Sequence, residues 1–301
     1  EADGFAMIEI DHAIFLRQHG IHHPILLLEG FFDRCDCLAA LQYNLTPVIH
    51  QPWQADLLKT CLNGRQPLVY VKQNTGMNRV GMSGGVLPEI IHTLESSGCT
   101  VTLMTHFANA DNQNLIDEPI QRFENHMKGY PRCAANSAAI LRFPQTHHEW
   151  IRPGIALYGA SPFSDQSAEM LGLQPVMTLQ AAIIATQSIQ SGETVGYGGL
   201  FRAARPTRVG IVACGYADGY PRSAPTGTPV WIQGKRSCLI GRVSMDMLCV
   251  DLTDCPEADV GTWVTLWGNH LPADDVAKAA GTIAYELFCR ITTRVPFIYS
   301  I

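Results

Sequence analysis

Short apolar runs alternate with helix-period segments through the first half of the chain, and this alternation restricts the fold more than any other feature. The runs cover 5–8, 25–28, 48–49, 68–71, 101–104, 133–136 and 155–158. Most are apolar along their whole length, the pattern of a strand buried on both faces. Between the first two, Ile10, Ala13 and Ile14 fall on one helical face of 10–18 and Gly20 supplies a stop. Further helical segments are predicted over 53–62, 86–94 and 119–127. Strand and helix in strict alternation build a parallel sheet, either doubly wound and open or closed as a barrel. A closed barrel takes eight strands. Seven are legible, the first at the very start of the sequence. The expected fold is therefore α/β, a (β/α)8 TIM-type barrel missing its first βα unit, with an open sheet as the alternative.

After Gly172 the texture changes. Alternating or β-branched runs at 176–189, 208–212, 230–232, 247–251 and 263–267 are separated by glycine and proline turns. One helical stretch interrupts them, capped by Asp274 or Asp275 and running through Val276, Ala279 and Ala280 to about Phe288. With 301 residues, 47% of them hydrophobic, the chain can bury one large core and a smaller one. The expected domains are a barrel over 1–172 and a mainly β domain over 173–301.

The net charge of -6, with both signs mixed along the chain, leaves no basic stripe for nucleic acid and no polybasic patch for a membrane. No stretch approaches the roughly 18 to 20 apolar residues of a membrane span, and no signal-peptide pattern opens the sequence. A cytoplasmic protein acting on small molecules is expected. The ten cysteines, among them Cys35, Cys61, Cys99, Cys133, Cys214, Cys238, Cys249 and Cys289, lie mostly in apolar runs and read as reduced core residues. Cys35 and Cys37 are too closely spaced for a redox pair or a structural zinc site, and no metal is expected.

Gly81, Ser83 and Gly85 satisfy the G-x-S-x-G pattern of a hydrolase elbow, but the preceding strand ends too early, and Ser83 serves equally as the cap of the next helix. Gly227, Gly234 and Lys235 are wrongly spaced for a phosphate loop, with Arg236 where a hydroxyl residue is required. His147, His148 and Glu149 lack the spacing of a helical zinc site. A more informative set lies at the predicted C-terminal strand ends, where barrel enzymes place their chemistry: Lys72, Thr75, Arg79, His106, Asn136, Ser137, Arg152 and Gly154. Singly, each is as easily a loop or capping residue. Together they offer a bidentate carboxylate donor at Arg79, a cation at Arg152 for a ring nitrogen or phosphate, and a phosphate cradle at Ser137 and the Gly154 backbone.

Seven segments carry a resemblance in the same order: 72–81 (KQNTGMNRVG), 105–108 (THFA), 135–138 (ANSA), 152–159 (RPGIALYG), 215–222 (GYADGYPR), 243–247 (VSMDM) and 284–287 (AYEL). The chain resembles the alanine racemases, enzymes that use pyridoxal 5'-phosphate (PLP). The resemblance implies interconversion of L- and D-alanine through a PLP-stabilised carbanion with a base on each face, supplying D-alanine for peptidoglycan or serving alanine catabolism. It implies Tyr216 as the base acting on L-alanine, shared across a homodimer interface, with His106 as its partner. It implies Ser137, Gly154, Ile155 and Tyr285 on the cofactor phosphate and Arg152 at the pyridine nitrogen. Arg79 and the backbone of Met245 then take the substrate carboxylate, and Lys72 is a candidate carbamylated lysine paired with Arg79.

One departure is expected to matter. The family's cofactor lysine lies in a V-V-K-A-N-A-Y-G-like segment, and none of Lys59, Lys72, Lys128, Lys235 and Lys278 stands in one. The expectation is a chain lacking roughly the first fifty residues of the pattern, with the first of the eight barrel strands and the cofactor lysine, and inactive alone. Its alternative function is that of a non-catalytic PLP and amino-acid binding remnant.

Overall fold

The computed structural model describes residues 2–125 and 128–299. The chain divides into two compact units, Glu1–Gly154 and Ile155–Ile301. In the first, strands β1 (Phe5–Met7), β2 (Ile25–Leu27), β3 (Thr46–Ile49), β4 (Leu68–Lys72), β5 (Thr100–Met104), β6 (Arg132–Asn136) and β7 (Trp150–Arg152) form one parallel sheet in chain order. A doubly wound sheet reverses its order partway. The unbroken order found here is that of a barrel-like sheet, with β1 and β7 each paired to a single neighbour among the described residues.

Helices α1 (Ile10–Gln18), α2 (Arg34–Gln42), α3 (Pro52–Cys61), α4 (Leu87–Ser96), α5 (Asp117–Glu124) and α6 (Ser137–Arg142) connect the strands. Side chains alternate across a strand. Ile25 and Leu27 face outward onto Ala13 of α1 and Ala40 of α2. Leu26, Val48, Tyr70, Met104 and Cys133 form a cluster on the opposite face. Two residues beyond Val48, Tyr70 and Met104 come His50, Lys72 and His106, so the inner face ends at its C-terminal rim in titratable side chains.

Several local expectations need correction. Residues 155–158 are a 3-10 turn, and the seventh strand is Trp150–Arg152. Pro153 and Gly154 separate the two, and a three-residue strand is too short for periodicity to reveal. Helices α2 and α6 have no counterpart among the predicted segments, because small residues and short length weaken their 3.6-residue signal. The helix predicted over 119–127 is Asp117–Glu124, and Met127 lies outside the described residues. All ten cysteines are free thiols, but Cys35 and Cys289 are exposed rather than buried.

The second unit contains β8 (Leu179–Ile189), β9 (Thr194–Val195), β10 (Phe201–Arg202), β11 (Thr207–Val212), β12 (Pro229–Ile232), β13 (Lys235–Cys238), β14 (Leu248–Asp251) and β15 (Trp263–Trp267), followed by α7 (Ala273–Ala280) and α8 (Ala284–Cys289). Six strands form an antiparallel sheet in the order β13-β12-β15-β8-β11-β14, and β9 and β10 form a separate hairpin. Its core gathers Leu266, Trp267 and Val250 from the sheet with Val276 and Leu287 from the helices. Ile155 and Ala160 join that core, so the 155–172 segment that precedes the change of texture packs with the β domain. The helix expected over 274–288 is two helices, broken where Gly281 adopts φ +72°. Pro272 is the N-cap, and Asp274 Oδ2 instead accepts the Ser161 N–H at 3.2 Å. No helix among the described residues is long and apolar enough to cross a membrane.

Candidate active site

In the first unit the predicted residues converge on the C-terminal rim of the sheet. Arg152, at the end of β7, is fixed by backbone oxygens: Nη1 donates to Cys133 O at 3.0 Å, and Nη2 to Thr105 O at 2.8 Å and Ala134 O at 3.1 Å. Its Nε–H takes no part in these bonds. Lys72 ends β4 with only 6% of its surface exposed. Burial, then the charges of Arg152 and Arg79, push its ammonium down to about 8, against the opposing pull of Glu29. Burial and the charges of Arg152, Lys72 and Arg79 likewise hold the His106 imidazole down at about 4, so it is neutral near pH 7.

Arg79 reaches this rim on a loop that folds back against β4. Met82 N–H donates to Lys72 O at 2.9 Å and Asn74 N–H to Met82 O at 2.8 Å, while Asn74 Oδ1 accepts from the backbone of Gly76 and Asn78. Thr75 and Thr105 share a hydroxyl hydrogen bond of 2.8 Å beneath it. Gly81 sits at φ +126°, where an added Cβ would lie 2.9 Å from Asn74 N. Ser83 follows this turn, not a strand. Its side chain is exposed and does not cap α4, so neither the hydrolase elbow nor the predicted cap is formed. His147, His148 and Glu149 have separate partners in Ile140 O, Glu124 and the Arg132 N–H.

Asn136 and Ser137 sit where β6 passes into α6. Asn136 Oδ1 caps the helix by accepting Ala139 N–H at 3.1 Å, and its Nδ2 donates to Phe107 O at 3.0 Å. The buried Ser137 Oγ accepts the Gly154 N–H at 2.8 Å. A Cβ on Gly154 would stand 4.0 Å from that hydroxyl, at ordinary van der Waals distance.

The second unit brings GYADGYPR and VSMDM together. Tyr216 N–H donates to Ser244 O at 3.0 Å and Ala217 N–H to Met245 O at 2.9 Å. A Cβ on Gly215 would collide with the carbonyls of Ser244 and Met245, so only glycine permits the approach. Arg294 bridges Asp246 Oδ1 at 2.8 Å and Asp218 Oδ1 at 3.4 Å, binding the same two segments from outside. The Tyr216 and Met245 side chains are exposed beside this junction, Tyr285 is exposed in the first turn of α8, and the Ile155 side chain is buried in the core.

The structure thus groups Lys72, Arg79, His106, Ser137, Arg152 and Gly154 in one unit and Tyr216 with Met245 in the other. Sequence reasoning passed over His50, Gln54 and Glu29 on the first rim and Arg294 on the second. The strand-end rule that selected Lys72 would have selected His50. A separate cavity of about 380 Å³, lined by Lys235, Arg236, Asp251 and Asp254 among others, holds none of the expected residues. The crevice lined by Lys72, Thr75, Met77, Arg79 and His106 is smaller but carries the perturbed groups. Three cations around a neutral imidazole make it a receptor for an anion.

The neutral His106 has a measurable consequence. A histidine held at about 4 in the fold and near 6.5 when unfolded binds fewer protons when native, so stability rises from pH 4 to 6.5 and is lost as pH falls through that window. In that window His106→Asn is expected to flatten the urea-unfolding free energy by up to about 3 kcal/mol. An unchanged slope would mean that His106 is charged in the native protein.

Models of the two alanine racemase domains match the chain, the N-terminal domain over 1–162 and the C-terminal domain over 176–299. The catabolic alanine racemase of Klebsiella aerogenes is 50% identical over 99% of this chain and 85% of its own length. The crystal structure of the biosynthetic alanine racemase from Pseudomonas aeruginosa superposes with a TM-score of 0.95 at 44% identity, covering 100% of this chain and 86% of that one. Alanine racemase from Bartonella henselae, solved with covalently bound pyridoxal phosphate, has a TM-score of 0.87 at 25% identity over 99% of this chain and 85% of that one. Both domain models, the relatives at half identity and the shared fold lead to one conclusion: this chain belongs to the alanine racemase family.

Proposed function

We propose that the protein is a PLP-dependent alanine racemase, acting in the cytoplasm as a homodimer, with its cofactor-binding part in the N-terminal unit and its β domain in the C-terminal one. The observation that carries this reading is the convergence of Arg152, Lys72 and Arg79 around neutral His106, in the same unit as the Ser137–Gly154 hydrogen bond. PLP fits that arrangement. Ser137, Gly154, Ile155 and Tyr285 hold its phosphate. Arg152, with both terminal nitrogens engaged on carbonyls, would give its Nε–H to the pyridine nitrogen.

When bound, PLP supplies the electron sink that makes the α-proton of an amino acid acidic. An arginine at the pyridine nitrogen donates a hydrogen bond without giving up its proton, which tempers that sink and disfavours side reactions. Arg79 and the Met245 backbone receive the substrate carboxylate, which orients the α-carbon. Tyr216 moves the proton on the L-alanine face, with His106 as its neutral partner. Lys72, once its deprotonated amine adds CO2 to form a carbamate and releases a proton to solvent, pairs with Arg79, since two neighbouring cations are relieved by converting one into an anion.

Among the described residues β1 and β7 each pair with one strand, which supports the reading of the sheet as a barrel short of one βα unit. By resemblance that unit carries the cofactor lysine. Protein that includes it is expected to form D-alanine from L-alanine far faster than free PLP does, read by chiral chromatography. PLP binding with turnover no faster than free PLP would reduce the reading to a binding protein.

A further inference from the structure

His50 follows Ile49 at the C-terminal end of β3, and Ile49 is registered opposite Val71 of β4. That register sets His50 beside Lys72. Both lie two residues beyond members of the inner-face cluster, Val48 and Tyr70, and so share that face. His50 is 7% exposed, and its Nε2 lies 2.9 Å from Glu29 O. A carbonyl only accepts, so this shorter contact places the hydrogen on Nε2 and leaves Nδ1 a bare lone pair; Gln54 Nε2, 3.3 Å from the same ring nitrogen, directs its two hydrogens to Phe31 O at 3.1 Å and Glu29 O at 3.3 Å. Nδ1 is buried and has no hydrogen-bond partner among the described residues.

The surroundings hold the ring in this state. Gln54, fully buried on α3, accepts from His50 N–H at 2.8 Å and Gln51 N–H at 3.1 Å, and donates to Phe31 O at 3.1 Å. The β2–α2 and β3–α3 loops are thereby joined, and rotating the imidazole would turn its lone pair onto Glu29 O. Burial keeps the ring neutral, assisted by the Lys72 charge and opposed by Glu29. The charged and titratable groups at this rim are Lys72 on β4, Glu29 after β2, His106 after β5, Arg152 on β7 and Arg79 on the folded-back loop. The side-chain nitrogen of Lys72 has no hydrogen bond or ion pair among the described residues.

We propose that His50 is a positioning residue for Lys72: in the PLP-loaded enzyme its Nδ1, unpartnered among the described residues, takes up an N–H of the Lys72 side-chain nitrogen across the β3–β4 register and holds that nitrogen at the rim. The inference rests on the reading of Lys72 as a member of the site. An N–H is present whether that nitrogen is ammonium, amine or carbamate, so one acceptor serves all three states. A neutral imidazole adds this acceptor without a fourth positive charge.

The test is an NMR titration of the PLP-loaded enzyme with ε-¹³C-lysine in CO2-free buffer, the Lys72 signal assigned by its loss in Lys72→Arg. Accepting from an ammonium favours the charged form. In His50→Leu the Lys72 acid dissociation constant is therefore expected to rise about tenfold, the equivalent of one charged hydrogen bond. His50→Asn, which keeps an acceptor near the Nδ1 position but loses the bond to Glu29 O, is expected to restore the parent value. A Lys72 titration unchanged in His50→Leu overturns the proposal. Equal shifts in both variants also overturn it, since that is the result of a merely structural role. Thermal unfolding checks that the leucine variant is folded, and His50→Phe replaces it where it is not. Arg79→Leu separates the underlying reading. If Lys72 titrates there as in the parent, its pairing with Arg79 fails, while the leucine–asparagine contrast still decides His50.

Discussion

Tyr216→Phe is expected to lower the rate of D-alanine formation from L-alanine by about 10²- to 10⁴-fold, the range for loss of a positioned acid–base group. Stability should not follow. The tyrosine ring is exposed, and the loop is held by backbone bonds from Tyr216 to Ser244 and from Ala217 to Met245, neither of which involves the phenol. Gly215 makes the approach of those segments possible, and it too is untouched. A chiral product assay and a thermal melt on the same preparation suffice. A rate loss below tenfold would remove Tyr216 from the proton transfer, and a lowered Tm would show that its hydroxyl serves the fold.

Arg152→Ala is expected to cost both stability and cofactor. The guanidinium donates to the carbonyls of Cys133, Thr105 and Ala134, which lie on β6 and just beyond β5, and so it ties three neighbouring strand ends together. Removing it takes this donor from the Thr105 and Ala134 oxygens in a part-buried setting, at about 1 to 3 kcal/mol for each that water does not reach, while Cys133 O keeps the Thr105 N–H at 3.2 Å. A loss of about 3 to 5 kcal/mol in urea unfolding follows, together with weaker PLP binding measured by absorbance titration. Arg152→Lys should recover little of either, because a single ammonium cannot reproduce the planar fork that serves three carbonyls and leaves Nε–H free. PLP affinity unchanged in Arg152→Ala would remove this residue from the pyridine nitrogen.

The first six strands and the strand-end location of Lys72, His106 and Ser137 were legible because continuous apolar runs mark strands locally, with the polar residues just past the apolar ones. The seventh strand was not. Its three residues look like the entrance to the more apolar 155–158 segment, which proline and glycine divert into a turn and the β domain buries at Ile155. His50 was missed because a lone histidine before a glutamine and a proline reads as a helix entry. Only the pairing of Ile49 with Val71 sets it beside Lys72. Arg294 had no local signal, since its partners Asp218 and Asp246 are distant in sequence.

The sequence by itself determined the alternation of strand and helix, the change to a β domain and the family, because periodicity and motif are properties of neighbouring residues. Tertiary structure alone decided which strand ends share a face and which protons their side chains keep. Lys72 and His106 titrate low because folding buries them and brings Arg79 and Arg152 close. Desolvation and charge act through space, between residues that the chain order keeps far apart.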